Sequence, residues 1–307
     1  MSATILAGYD SRARDRGPID FGVALAELTG ARLIVASVQA GDPVMGVFPG
    51  TALPYAVGRV DEDLVPDCSE ALDEIAPDLR ARDVTFECRA IDGLSAARAL
   101  QQAAEAAGVA LLVVGAGRRR VLGSTAQRLL HGAPCPVAVV RREWRPRPLR
   151  AIGAAVAGAG ADRDVIDAAH ALARFARARL RVFTVVRVTA DMYARTELAG
   201  AARPAQDIES TYGALATREL QRAVAGLRDV AVDVGALLGD PAEKLVELSD
   251  QLDVLVCGSR GYGPVRAVLL GSVSRRLVAE AHCPVIVLSH GVSGRLEALA
   301  VGETAAC

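Results

Sequence analysis

The chain has 307 residues, of which 51% are hydrophobic, 23% charged and 4% aromatic, and its formal net charge is −1. That length suits two cores rather than one, the near-zero charge offers no field to hold a nucleic-acid backbone, and few aromatics remain for stacking bases. Met1–Asp15 has no basic run followed by an apolar one, and Ala151–Ala161 is too short to span a bilayer, so a soluble cytoplasmic protein is expected, with no membrane or nucleic-acid partner. In chain order, short apolar runs predict strands near 4–9, 32–38, 84–90, 110–115 and 136–141. The set repeats near 150–156, 180–187, 229–237, 253–258 and 284–289. Unbroken runs such as Leu111–Val114 and Val254–Cys257 suit strands buried on both faces of a parallel sheet. Between them lie segments of helical period, for example 95–107, 242–250 and 272–281.

The two sets are copies. Cys135-Pro136-Val137 matches Cys283-Pro284-Val285 at an offset of 148, and 4–11 matches 151–158 at an offset of 147. The domains predicted are 1–143 and 149–290, joined by a proline-bearing linker at 144–148 and followed by a tail, 291–307, that lies outside the repeat and is a candidate for fraying. Each domain is an α/β unit, a doubly wound five-stranded parallel sheet of order 3-2-1-4-5. In that order the switch point falls between the first and fourth strands, and ligands sit beyond their carboxyl ends.

At that place the second half carries Gly258-Ser259-Arg260-Gly261, then Gly271-Ser272-Val273-Ser274 at the start of a helix. Glycines permit close backbone approach, and a helix start offers free amides and hydroxyls to an anion. The sequence is not a Walker loop or a dinucleotide fingerprint. The glycines alone could also be a plain strand-to-helix turn. Six cysteines and four histidines show no metal spacing, and His282 beside Cys283 reads as structural rather than as a nucleophile pair. The proline-rich segment 39–57 and the segment 188–205 follow the second strands and are candidate lids or partner surfaces.

Gly-x2-Gly-x9-Gly-Ser after a fourth strand, followed by a Cys-Pro-Val fifth strand, resembles the universal stress protein family, and the likeness covers about 290 residues. The resemblance implies the same fold and ATP, with or without Mg, as ligand. It implies that Gly258, Arg260, Gly261, Gly271, Ser272, Val273 and Ser274 hold ribose and phosphates, with a backbone group near Val186 facing adenine. It also implies pairing of fifth strands, here Val137–Val140 with Val285–Leu288, and leaves a homodimer through other surfaces open.

Neither half keeps the whole pattern. The first has the base-side aspartate, Asp10, where the second has Ala157. The first-half loop puts Gly123 only eight residues after Gly115, against thirteen from Gly258 to Gly271, and Arg118 replaces the second glycine. Asp10, Gly115, Gly117, Gly123, Ser124 and Thr125 form a second candidate site, with Asp10 alternatively a turn cap. The function expected is a stress-response regulator binding an adenine nucleotide, chiefly in the second half, without catalytic residues and with slow hydrolysis at most. The alternatives are a nucleotide-free protein-interaction module and, third, an adenine-nucleotide-using enzyme.

Overall fold

A computed structural model of the protein describes residues 3–39, 68–117, 122–158, 162–187, 189, 205–259, 270–289 and 299. The first half runs β1 (Thr4–Tyr9), α1 (Gly17–Thr29), β2 (Arg32–Gln39), α2 (Cys68–Arg80), β3 (Phe86–Asp92), α3 (Ala96–Ala106), β4 (Leu111–Gly115), α4 (Ser124–Gly132) and β5 (Val137–Val140). The second runs β6 (Ala151–Ala155), α5 (Arg163–Ala176), β7 (Arg179–Val186), α6 (Ala205–Val224), β8 (Val232–Leu238), α7 (Pro241–Leu248), β9 (Val254–Gly258), α8 (Ser272–Glu280) and β10 (Val285–Leu288).

Successive side chains of a strand point to opposite faces, and here both faces are covered. Ile5, Leu33, Val35, Leu111 and Val113 enter one buried cluster with residues of α1, α2 and α5. Their alternates Leu6, Ile34, Leu112 and Val114 enter a second cluster with residues of α3, α4, α7 and α8. This is why the strands read as continuous apolar runs.

Each half has the order 3-2-1-4-5, and the halves join through their fifth strands into one ten-stranded sheet, β3-β2-β1-β4-β5-β10-β9-β6-β7-β8. Within each half the pairs are parallel, while β5 and β10 run antiparallel, with Ala138 opposite Ile286. Pairing the two apolar fifth strands removes two edges that would otherwise template aggregation.

The outer strands begin two or three residues later than the apolar runs suggested, at Phe86 and Val232. Val84 and Val230 are partly buried against the core just before their strands, so their apolar character reports packing and not pairing. The linker has no helix or strand, yet it is held. Trp144 is buried and meets Phe21 edge-on at 5.3 Å. The Arg141 guanidinium donates to the carbonyl of Ala281 at 3.3 Å, and Arg147 pairs with Asp253 at 2.9 Å. Asp253 in turn accepts the amides of Arg150 and Ala151, which fixes the start of β6. Leu299, the one described residue beyond β10's end segment, is buried and borders the same small cavity as Leu25 of α1, Leu172 of α5 and Ile286 of β10. Among the described residues, no helix is long and apolar enough to cross a membrane.

Candidate functional site

In the second half the carboxyl ends of β6 and β9 diverge at the switch point, and a cavity of about 310 Å³ opens there. Its walls include Ala155–Ala157 at the end of β6 and just beyond it, Val185 of β7, Pro241 and Leu245 of α7, Gly258 at the end of β9, and Gly271–Ser274 at the start of α8. Five residues of the predicted set, Gly258, Gly271, Ser272, Val273 and Ser274, therefore surround one space. Val186 lies one residue beyond Val185, and its carbonyl accepts the Gly239 amide at 3.1 Å. Arg260 and Gly261 lie outside the described residues, as do most of the two candidate lids.

The start of α8 faces the cavity without a side-chain cap. A helix leaves its first amides without intrahelical acceptors, and its dipole places partial positive charge there. Most helix starts answer this with a side-chain oxygen or an acid. Asp240 does both for α7, accepting the Glu243 amide at 3.1 Å with Glu243 in the first turn. α8 has Gly271 as its cap, no side-chain cap bond and no acid in the first turn, and Gly271 and Ser272 line the cavity. The Ser274 hydroxyl donates to the Gly258 carbonyl at 2.8 Å, which staples the helix start to the strand end. Of the serine hydroxyls expected to face phosphate, that of Ser274 is thus already engaged by the Gly258 carbonyl.

The cavity wall includes a thiol, Cys257, which burial pushes up to about 12 against a smaller opposing effect of the Ser274 hydroxyl. It stays protonated near neutral pH and is a packing residue rather than a nucleophile. His282 is also structural, since its amide donates to the Ser249 hydroxyl at 2.9 Å, and that hydroxyl donates to the Val246 carbonyl at 2.6 Å.

Sequence reasoning missed Asp162. Position 157, where the first half has Asp10, is Ala157, but its amide donates to Asp162 Oδ2 at 2.5 Å, and Asp162 lines the cavity. A carboxylate therefore reaches the cleft from five residues further on. The signal was present: Asp162 stands 147 residues after Asp15, the same offset that aligns the first strands.

The first half is arranged differently. Asp10 Oδ1 accepts the Ala13 amide at 3.0 Å, the turn-cap alternative, and Asp10 forms a β-bridge with Asp15. Asp15 is buried, and its Oδ1 accepts the Gly17 amide at 3.1 Å. Its Oδ2 sits so close to Gly115 that a Cβ there would stand 2.7 Å away. Burial raises the Asp15 pKa above the usual carboxylate range, opposed by the Gly17 amide and by Arg142. The two ends of the short loop meet. Gly123 donates to the Ala116 carbonyl at 2.9 Å, and Gly117 takes a φ of +91°, which glycine tolerates. Gly123 caps α4, and Ser124 and Thr125 form its first turn, again without an acid. Arg118 lies outside the described residues.

Comparisons with known proteins agree with this architecture. The family model described as "Universal stress protein family" matches twice, over residues 1–141 and 148–289. A universal stress protein of Mycobacterium tuberculosis is 26% identical over 299 residues, covering 93% of this chain and 96% of its own length. One from Mycolicibacterium smegmatis is 26% identical over 289 residues, covering 92% and 96%. The crystal structure of a functionally unknown protein from Pseudomonas aeruginosa shares the fold, with a TM-score of 0.67 at 19% identity and 97% of each chain covered.

Proposed function

The chain belongs to the universal stress protein family, and from that premise we propose that it is a cytoplasmic stress-response regulator that binds ATP or a related adenine nucleotide in its second half. The observation that carries this reading is the uncapped, acid-free start of α8 opening onto the cavity beyond β6 and β9. The amides after Gly271 suit a phosphate, and the wall of Val185, Pro241 and Leu245 suits a flat apolar ring. Neither Cys257 nor Ser274 is set up to attack a phosphate, so the nucleotide acts by occupancy and not by turnover, with or without Mg. The crowded first half favours a second role for that half, as a surface for a protein partner, since Asp15 already lies against Gly115.

The test is calorimetry with ATP on wild type and on Gly271→Asp. Gly271 has φ −61° and ψ 153°, a conformation open to any residue, and aspartate is a favoured helix cap. The variant is expected to keep or gain up to about 1 kcal/mol of stability, while its own carboxylate occupies the anion site and repels phosphate. One ATP per wild-type chain, with affinity at least about a hundredfold weaker in the variant, supports the proposal. No binding by wild type at millimolar ATP, with no nucleotide released on denaturation, overturns it and leaves the interaction module.

A further inference from the structure

We propose that Asp162 selects the ligand of the second-half cleft by the hydroxyl groups it carries, accepting a sugar with free hydroxyls and rejecting one that carries a phosphate in their place. The inference rests on the reading of that cleft as a nucleotide site, and it goes beyond it by naming the residue and the chemical group it reads.

The argument is one of position. Asp162 Oδ2 is committed to the Ala157 amide at 2.5 Å. Its Oδ1 lies on the side of Gly258, 3.5 Å from where a Cβ on that glycine would stand, and both residues line the cavity. The Ser274 hydroxyl reaches the same Gly258 through its carbonyl at 2.8 Å. The carboxylate and the anion-binding helix start thus converge on one residue from opposite faces of the sheet, Asp162 from just before the start of α5 and Ser274 from the start of α8. A group that meets Asp162 must be the immediate neighbour of the group that meets the α8 amides. In a nucleotide whose phosphates lie at α8 and whose ring lies on Val185, Pro241 and Leu245, that neighbour is the sugar.

The chemistry then decides what the sugar may carry. An ionised carboxylate only accepts hydrogen bonds, so it takes hydroxyl donors and gives nothing to an ether or a bare carbon. A phosphate at that position would place like charges together beside a second anion already held at α8, which disfavours it. The loss of the aspartate at position 157 is part of the arrangement. In the first half Asp10 and Asp15 bridge each other and each spends an oxygen on a local amide. With alanine at 157 the hydrogen bond that orients Asp162, among the described residues, comes from the backbone amide to Oδ2, and we assign Oδ1 to the ligand.

The experiment is calorimetry on the full chain with ATP, 2′,3′-dideoxy-ATP and 3′-phosphorylated ATP, for wild type and Asp162→Asn. Asparagine keeps an acceptor for the Ala157 amide while exchanging the other acceptor for a donor. Wild type is expected to bind ATP roughly tenfold or more tighter than either analogue, the range of hydrogen bonds to a charged acceptor. In D162N the three affinities are expected to fall within about threefold of one another. If wild type binds ATP and the dideoxy analogue equally, the assignment of Asp162 is overturned while the nucleotide site stands. If D162N discriminates as strongly as wild type, another group reads the hydroxyls and the assignment is again overturned. If wild type binds none of the three, both readings fall together. The wild-type series needs no variant to fold, and a melting curve of D162N accompanies its titration.

Discussion

Asp15 and Asp162 occupy equivalent places, each just before the first helix of its half and each facing the glycine that ends the fourth strand. In the first half the carboxylate lies against Gly115, so close that a Cβ there would stand 2.7 Å from it; in the second the corresponding separation at Gly258 is 3.5 Å, and a cavity lies beside it. The difference shows how a duplicated frame can divide labour. Strand order, crossovers and the two buried faces are common to both halves, so one cleft can be filled by its own side chain while the other stays open. The same trade recurs in the core. Leu6 of β1 corresponds to Gly153 of β6, and Val109 before β4 corresponds to Leu252 before β9. The first half pairs a large residue with a medium one, and the second pairs none with a large one, filling the same layer.

The largest effect expected from breaking this correspondence is at Gly153. A Cβ there would stand 2.4 Å from Leu252 Cδ1 and 3.0 Å from Leu255 Cδ1, both side chains being fully or almost fully buried. Gly153→Ala is expected to destabilise by about 1–3 kcal/mol through overpacking, and Leu252→Val in the same chain to recover at least half of that, because it makes room for the added methyl and shifts the pair toward the first-half division of volume. Urea unfolding of the four members of the cycle measures it. Additive losses would show that the two positions do not share one space.

A smaller effect separates the two strand-ending glycines. Gly115→Ala drives a methyl into the Asp15 carboxylate, which is pinned by the Gly17 amide, and is expected to cost about 1–2 kcal/mol. Gly258→Ala meets only ordinary contacts, 3.5 Å to Asp162 and 3.6 Å to Val165, and is expected to stay within about 0.5 kcal/mol of wild type. Equal costs at both glycines would mean that the first-half carboxylate can swing aside and that its cleft opens as readily as the other.

Much of the frame was legible because burial on two faces leaves a simple signal. Runs such as Leu111–Val114 and Val285–Leu288 became strands, and the duplicated Cys-Pro-Val segments became the antiparallel seam. That Gly258 and Gly271–Ser274 border one space was legible for a similar reason: they lie at the ends of the strand and helix that flank it. What stayed hidden depends on distances across the fold. The motif position 157 gave no hint that a carboxylate five residues on would reach the same space, since that requires the chain to turn back onto the Ala157 amide. Hydrophobic pattern marks Gly153 and Leu252 as interior but carries no information on which volume faces which. Leu299 is one of two leucines in a tail without strand or helix period, and the space it shares with Leu25 of α1 and Leu172 of α5 is visible only in the fold.

The smallest effect tests the charge state of the filled cleft. Asp15 is buried, and desolvation raises its pKa above the ordinary carboxylate range despite the Gly17 amide and Arg142. The folded chain therefore holds the Asp15 proton more tightly than the unfolded chain does. The stability this contributes is full below the ordinary carboxylate pKa and is lost as pH rises through the raised one, so at neutral pH the ionised form works against the fold. Asp15→Asn is neutral at every pH and keeps an oxygen for the Gly17 amide. It is expected to be more stable than wild type at pH 7, by no more than about 1 kcal/mol, with the gain shrinking as pH falls through the raised value and absent below the ordinary one. Urea unfolding of both proteins at pH 7 and in mild acid reads the difference. A variant less stable than wild type at pH 7 would mean that the ionised carboxylate is held by more than one amide and a distant guanidinium, and that the first-half cleft is kept closed by charge rather than in spite of it.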